Sequence, residues 1–578
     1  MSKILIVVAL LLTGGATVAG SFFAGHVVST YKLPTHQFLH DRGRELVQIV
    51  RWVKKDRDWD LDWIMEGRYA AEIKTIFLRL RGDGARVPVE REGNGGGMTS
   101  FGDTVLLVTH EGRIFSARSA NDVRETSIKT PDSGFDGYVG VSEMAEYQDY
   151  DHANVFGSYR YNDLLFFDTP AGRGLAVSYT EFDDDAVCYR NAIATLSIDE
   201  GVSYVDQIEA EPGDWNILYR SDPCLPLKHQ RRAIEPEMAG GRMVFSPPFT
   251  IYTANGDYHW DGVQGPEAVS QNSDMDYGKV VSIDLETGEA RNISSGHRNV
   301  QGIALDRKGQ LWTVEHGSRG GDELNRIVEG NDYGWPQETL GTSYDGTPWP
   351  LAISYGHHDI FTAPTFAWLP SVAISAMTRI EGFDDSWDGD LLMGSLKDLS
   401  LHRIRIRDDR VKFVEPIHIG KRLRHVHQHT DGRLVLWTDD HYLIFMMVSD
   451  SESFEEFVDR FFDEKGYDAE QSQRVREALD GCMKCHSFEP NVIGNTGEAE
   501  TPNLSRVYGK PIASSDFKYY STALTGKSGR WTSENLEAFL TDPQGWVPGT
   551  LMQGENIDDP FVVTEIVGLL EELAKADE

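Results

Sequence analysis

A chain of 578 residues, 40% of them apolar, is long enough for two or three domains and apolar enough to bury a core in each. Its formal net charge of −36 argues against nucleic-acid binding, which needs a basic face, and otherwise bears on solubility rather than on fold.

After Met1-Ser2-Lys3 comes an uncharged run, Ile4 to Val28, longer than an ordinary signal core and long enough to span a bilayer. Residues 1–28 are read as an anchor or as a signal cleaved near Ala19. Lys3 before the run and Lys32, Arg42 and Arg44 after it leave that choice open. Either way the body is expected on the outer side of the bacterial cytoplasmic membrane, anchored or soluble. Residues 29–90 are charged with a helical apolar period, and predict a stalk or lead-in helix. Across 91–450 short β-rich runs alternate with Asp-x-x-Gly turns, as in "IALDRKGQLWTVEHG" and "GKVVSIDLETGEA". This pattern predicts radial antiparallel sheets, a β-propeller, in which six blades would take roughly 60 residues each; a β-sandwich is the alternative, for which the region is too long. Residues 451–468 read as an acidic linker, and 469–578 as a small all-α domain. Its last helix, Pro560 to Ala576, carries Val563, Ile566, Val567, Leu570 and Leu573 at helical spacing.

That final domain contains Gly481-Cys482-Met483-Lys484-Cys485-His486. C-x-x-C-H is the attachment signature of a c-type haem: two thiols bond the haem vinyls and the adjoining His ligates the iron. A redox dithiol or half a zinc site are the bland readings. After His486 there is no further His or Cys, and Met552 is the one Met, so His486 and Met552 are the candidate axial pair. A thioether opposite an imidazole raises the haem potential and suits electron transfer. Cys188 and Cys224 remain, an even pair in a disulfide-permitting compartment, and are expected to be bonded.

In the propeller region, "GHRNVQG" and "EHGSRGGDELN", running on to "NDYGWP", crowd polar side chains with glycines. Glycine lets backbone approach a ligand, and carbonyls with carboxylates suit a hard cation such as calcium. Alone, this is a candidate cofactor or metal loop, or a network of turns.

From Ala469 onward, "GCMKCHSF", "TPNLSRVYGK", "RWTSENLEAFLTDP" and "VPGTLM" resemble a class I cytochrome c, which implies that Tyr508 and Trp531 line the haem. Residues 95–445 resemble the glucose/sorbosone dehydrogenase family through "GHRNVQG", "EHGSRGGDELN", "NDYGWP", "APTFAWLPSVAIS" and "LLMGSLKD". The resemblance implies a propeller holding pyrroloquinoline quinone (PQQ) and calcium at the top of its channel. Arg298 and Asn299 would contact the quinone, and Lys397, Arg422 and Arg424 its carboxylates. The carbonyls of Gly317 and Ser318 would bind calcium, with Ser318 standing where the family has Pro. Glu323 and Tyr333 match a second, structural calcium site of some relatives, with a turn or cap role as the other reading of Glu323.

One departure matters. The family's base is a His three residues before a Gly-Arg pair, and Met238 stands there before Gly241-Arg242. Met accepts no proton from a hydroxyl. Glu237, if on a strand, would face away. His259 and His316, with His357 and His358 behind them, are the remaining candidates beside a catalytic Arg298. The implied activity is oxidation of a sugar or alcohol, with electrons passed to the chain's own haem and on to a soluble cytochrome or the respiratory chain. A propeller that has lost catalysis and serves as a docking module for the haem domain is the alternative.

Overall fold

A computed structural model describes residues 68–91, 93–142, 159–229, 232–233, 236–354, 356–449, 454–488, 494–495, 500–514, 517, 520–552 and 556–576. The run 4–28 and most of the expected stalk lie outside them. No helix among the described residues is long and apolar enough to cross a membrane.

Six antiparallel sheets follow one another along the chain. Their innermost strands are Gly97–Phe101, Tyr161–Thr169, Gly240–Ser246, Val300–Leu305, Ile374–Arg379 and Leu423–Gln428, which we number blades 1 to 6. Each innermost strand lies beside the next, and that of blade 6 returns to blade 1, so the ring closes. The turns explain the meander. In Asp306-Arg307-Lys308-Gly309, the Asp306 carboxylate accepts from the Lys308 and Gln310 amides, and Gly309 takes the left-handed φ of 76°.

The core lies between blades. Ala304, Trp312 and Leu324 of blade 4 pack with Ile374, Leu391 and Ile404 of blade 5. Met98, Val105 and Phe115 of blade 1 pack with Val435, Trp437 and Phe445 of blade 6. A second strand is therefore covered on both faces. Thr104–Val108, Leu311–Glu315, Leu391–Ser395 and Leu434–Thr438 are buried at every position, which is why they read as apolar runs without alternation.

Two expected boundaries move. Arg68–Lys74 and Arg79–Arg86, read as helical lead-in, are strands that complete blade 6, with Leu80 opposite Val448 and Arg86 opposite Tyr442. Leu80, Gly82 and Gly84 are the buried positions of the second strand, a period of two that glycines hide from any hydropathy count. A Cβ on Gly84 would meet Ile444 Cγ1 at 2.8 Å, so the close pairing requires glycine there. The acidic linker is likewise helix over Phe454–Lys465. Phe454, Phe457, Val458, Phe461 and Phe462 recur at helical spacing and are buried in one cluster with Val475, Leu479, Ile566 and Leu570. The segment belongs to the helical domain. There, Pro560–Ala576 packs on Ala469–Met483 and Ser533–Thr541 through the stripe visible in the sequence.

Candidate functional site

Antiparallel order places the starts of all innermost strands, and the ends of all second strands, at one end of the propeller. Arg160, Arg298, Asn299 and Arg422 directly precede innermost strands. Asp257, His316 and Lys397 directly follow second strands. Segments far apart in sequence thus converge on one mouth.

Beneath the mouth sits Arg242, on the innermost strand of blade 3. Its Nη1 donates to Gly96 O and Asn162 O, both at 2.8 Å, its Nη2 to Arg424 O at 3.0 Å, and its Nε to Gln301 O at 3.2 Å. One buried side chain thereby ties blade 3 to blades 1, 2, 4 and 6. Asp163 lies 3.5 Å from Arg242 Nη1, accepts from Met243 N and meets His425 Nε2 at 3.3 Å. Burial opposes ionisation of Asp163, yet His425, Arg242 and the Met243 amide hold its pKa below the usual range. Sequence reading used Arg242 only as a landmark. Beyond it the channel continues as a cavity of about 540 Å³ toward Asp306 and Arg379.

The mouth is cationic. Arg298 is buried, lies 5.2 Å above the Trp335 ring and donates from Nη1 to Gly317 O at 2.8 Å, while its Nε has no partner. Burial, with Arg424 and Arg242 nearby, pushes Arg160 down to about 10. Burial also pushes His316 down to about 4, with Arg298, Arg424 and Arg160 acting in the same sense and Asp322 against them. Arginines that depress one another's pKa and a buried Nε without a partner fit an anionic ligand with several acceptor oxygens. Arg424 and Arg422 are held by Asp439, at 2.8 and 2.9 Å from their Nε atoms, and Arg422 Nη1 donates to Leu396 O, beside Lys397. Lys397 is exposed. Asn299 is turned inward, its Oδ1 accepting from Gln301 Nε2 at 2.8 Å. Arg160 was missed in the sequence because nothing near it matches a motif.

The calcium residues fit less well. The Gly317 carbonyl accepts from the Arg298 guanidinium, which a cation would have to displace, and Ser318 Oγ donates to Thr342 O. Glu323 is buried, and burial together with Glu315 raises its pKa well above the usual range. Tyr333 is held by other partners. Its hydroxyl donates to Arg326 O and accepts from Val328 N, and its ring stacks on His297 at 4.7 Å. Among the described residues no group of three or more His, Cys, Asp or Glu could hold a metal ion.

Around Met238 the chain leaves the strand geometry assumed from sequence. Glu237 and Met238 precede Gly240–Ser246, and Met238 has φ 60°. Glu237 therefore does not face away: its Oε2 meets His259 Nε2 at 3.1 Å. Asp257, one residue from the strand, accepts from Trp335 Nε1 at 2.7 Å and from the His259 amide at 3.0 Å, and donates its own amide to Arg298 O. Burial raises Asp257 to about 6 against the pull of Arg298. His357 is exposed, and His358 lies 3.3 Å from Glu338, whose carboxylate also accepts the amides of Asp359, Ile360 and Phe361. This pair clamps a loop.

In the helical domain Cys482 and Cys485 are not disulfide-bonded and lie on one turn with His486, whose amide donates to Cys482 O at 2.8 Å. His486 Nδ1 lies 2.8 Å from Pro502 O, so Nδ1–H donates there and Nε2 stays available to a metal. Met552 and Tyr508 pack against the cluster that holds the buried Trp531. Tyr508 Oη meets Ser533 Oγ at 2.9 Å. These residues fit a haem. In blade 2, Cys188 and Cys224 form a disulfide.

The profile of the family described as Glucose / Sorbosone dehydrogenase matches residues 96–444. An uncharacterized protein, slr1608, of Synechocystis sp. (strain ATCC 27184 / PCC 6803 / Kazusa) is 38% identical over 250 residues, 39% of this chain and 57% of that protein. The aldose sugar dehydrogenase YliI of Escherichia coli (strain K12) is 30% identical over 297 residues, 48% of this chain and 73% of that protein. A cytochrome c homolog of Rickettsia bellii (strain RML369-C) is 38% identical over 96 residues, 16% of this chain and 51% of that protein. The chain thus spans little more than half the length of the first and third of these relatives.

Proposed function

Since the chain belongs to the glucose/sorbosone dehydrogenase family and carries a cytochrome c domain, we propose that it is an exported, PQQ-dependent dehydrogenase of aldoses or related alcohols that reduces its own covalent haem. The observation that carries this reading is the convergence of Arg160, Arg298 and Arg424 on one end of the channel. When bound, the quinone supplies a two-electron acceptor. Arg160, Arg298, Arg424 and Lys397 would bind its carboxylates, and Asp439 fixes the forks of Arg422 and Arg424. Trp335 supports the Arg298 guanidinium from one side and pins Asp257 on the other. His486 and Met552 would hold the haem iron, and Cys482 and Cys485 its vinyl carbons. Tethering the acceptor raises its effective concentration near the donor. Electrons would leave for a soluble cytochrome or a membrane acceptor on the periplasmic side.

Met238 favours a second reading, a propeller without catalysis that carries the haem domain. Titration of the haem-loaded protein with PQQ, followed by quenching of tryptophan fluorescence, tests the first. Saturable binding that R298A and R160A each weaken supports it. Absence of binding leaves the second.

A further inference from the structure

A dehydrogenase of this kind needs an acceptor for the proton of the substrate hydroxyl, and Met238 cannot be one. The geometry points to Glu237 as that acceptor, with His259 as the side chain that positions it. The assignment rests on the quinone-dependent reading above.

The neighbouring groups are each unsuited. Asp257 is 1% exposed, and its two oxygens already accept from Trp335 Nε1 and the His259 amide. His259 Nδ1 is sealed from solvent without a partner, and its Nε2 is turned to Glu237. Glu237 differs in access: its side chain is 36% exposed. It also sits within electrostatic reach of Arg160, at the cationic mouth, and its partner His259 is likewise coupled to Asp257, whose amide is bonded to Arg298 O. The left-handed backbone at Met238 breaks the strand alternation. The carboxylate one position earlier is thereby directed to His259 instead of away from the mouth. Because a carboxylate only accepts, the 3.1 Å contact requires His259 to carry its proton on Nε2. The imidazole then acts as a fixed donor that orients Oε2, a carboxylate–histidine pair with the carboxylate as base.

The step balances. The substrate O–H bond breaks and its proton passes to the Glu237 carboxylate. The carbon-bound hydrogen leaves as hydride with two electrons to the quinone, and the C–O bond becomes C=O.

The test begins with apoprotein labelled with 15N-histidine. The His259 ring, assigned by its loss in H259Q, is expected protonated on Nε2, with a signal that changes in E237Q. A neutral ring protonated on Nδ1, or one indifferent to E237Q, would overturn the pairing. With PQQ bound, kcat for aldose-driven haem reduction should fall about 10²- to 10⁴-fold in E237Q, the usual contribution of a general base, with KM little changed. E237D should restore part of the rate, added formate should rescue E237A saturably, and H259Q should lose less than E237Q. Saturable PQQ binding should persist in every variant, which separates lost chemistry from a lost fold. An active wild type with an equally active E237Q would sink this assignment alone. A wild type that binds no PQQ and oxidises nothing would sink it together with the reading beneath it.

Discussion

Replacing Arg242 by Met should cost the propeller as much stability as a large apolar truncation in its inter-blade core. The methionine keeps much of the volume but leaves Asp163 buried without its guanidinium, and removal of one partner of a buried pair costs about 3–5 kcal/mol. The carbonyls of Gly96, Asn162, Gln301 and Arg424 lose donors as well, at about 1 kcal/mol for each left unsatisfied and not strictly additive. A loss of at least about 3 kcal/mol follows. Urea unfolding of the oxidised protein, read by tryptophan fluorescence, measures it, since Trp312, Trp387 and Trp437 are fully buried in the blades. Asp163→Asn added to R242M should recover at least about 1 kcal/mol, because the orphaned charge is then gone. A stability for R242M within about 1 kcal/mol of wild type would refute the idea that this side chain ties the blades together.

Three further outcomes follow from single features. His110 is fully buried with both ring nitrogens unpartnered, and burial, then Arg91 and His441, lower its pKa from 6.5 to about 3. The stability tied to its neutral ring is complete above pH 6.5 and is lost as the pH falls toward 3, up to about 5 kcal/mol. H110L should flatten that acid limb in urea titrations between pH 7 and 4, and an unchanged limb would contradict the assignment. The Cys188–Cys224 bond closes a separation of 36 residues, for which loop entropy gives about 4 kcal/mol; C188A/C224A should show that loss in the same assay. C482A/C485A should abolish covalent haem, so that acid acetone extracts what remains, and H486A should remove the His-ligated spectrum while Pro502 O loses its donor.

The propeller was legible because its turns are chemically explicit: Asp306 to Gly309 states a tight turn without help from the rest of the chain. The haem ligands were legible because covalent attachment fixes their spacing locally. What remained hidden was set by distant partners. Gly82 and Gly84 read as nothing until Tyr442–Val448 lies against them. The five buried apolar residues of Phe454–Lys465 were masked by the acid between them, which faces outward on the same helix. Arg160 bears no motif and Arg242 entered only as half of a Gly-Arg landmark; the importance of Arg242 comes from the ring that gathers segments 59 to 182 residues away around it. Glu237 was misjudged because alternation was assumed for a residue that precedes the strand, beside a Met238 with positive φ.

The most direct measurement is the haem absorption band of the purified, haem-loaded protein on addition of an aldose, with and without prior loading of PQQ. The account predicts reduction of the haem only in the loaded protein, at a rate independent of protein concentration, since donor and acceptor share one chain. A loaded protein whose haem stays oxidised across a panel of aldoses and alcohols would contradict it.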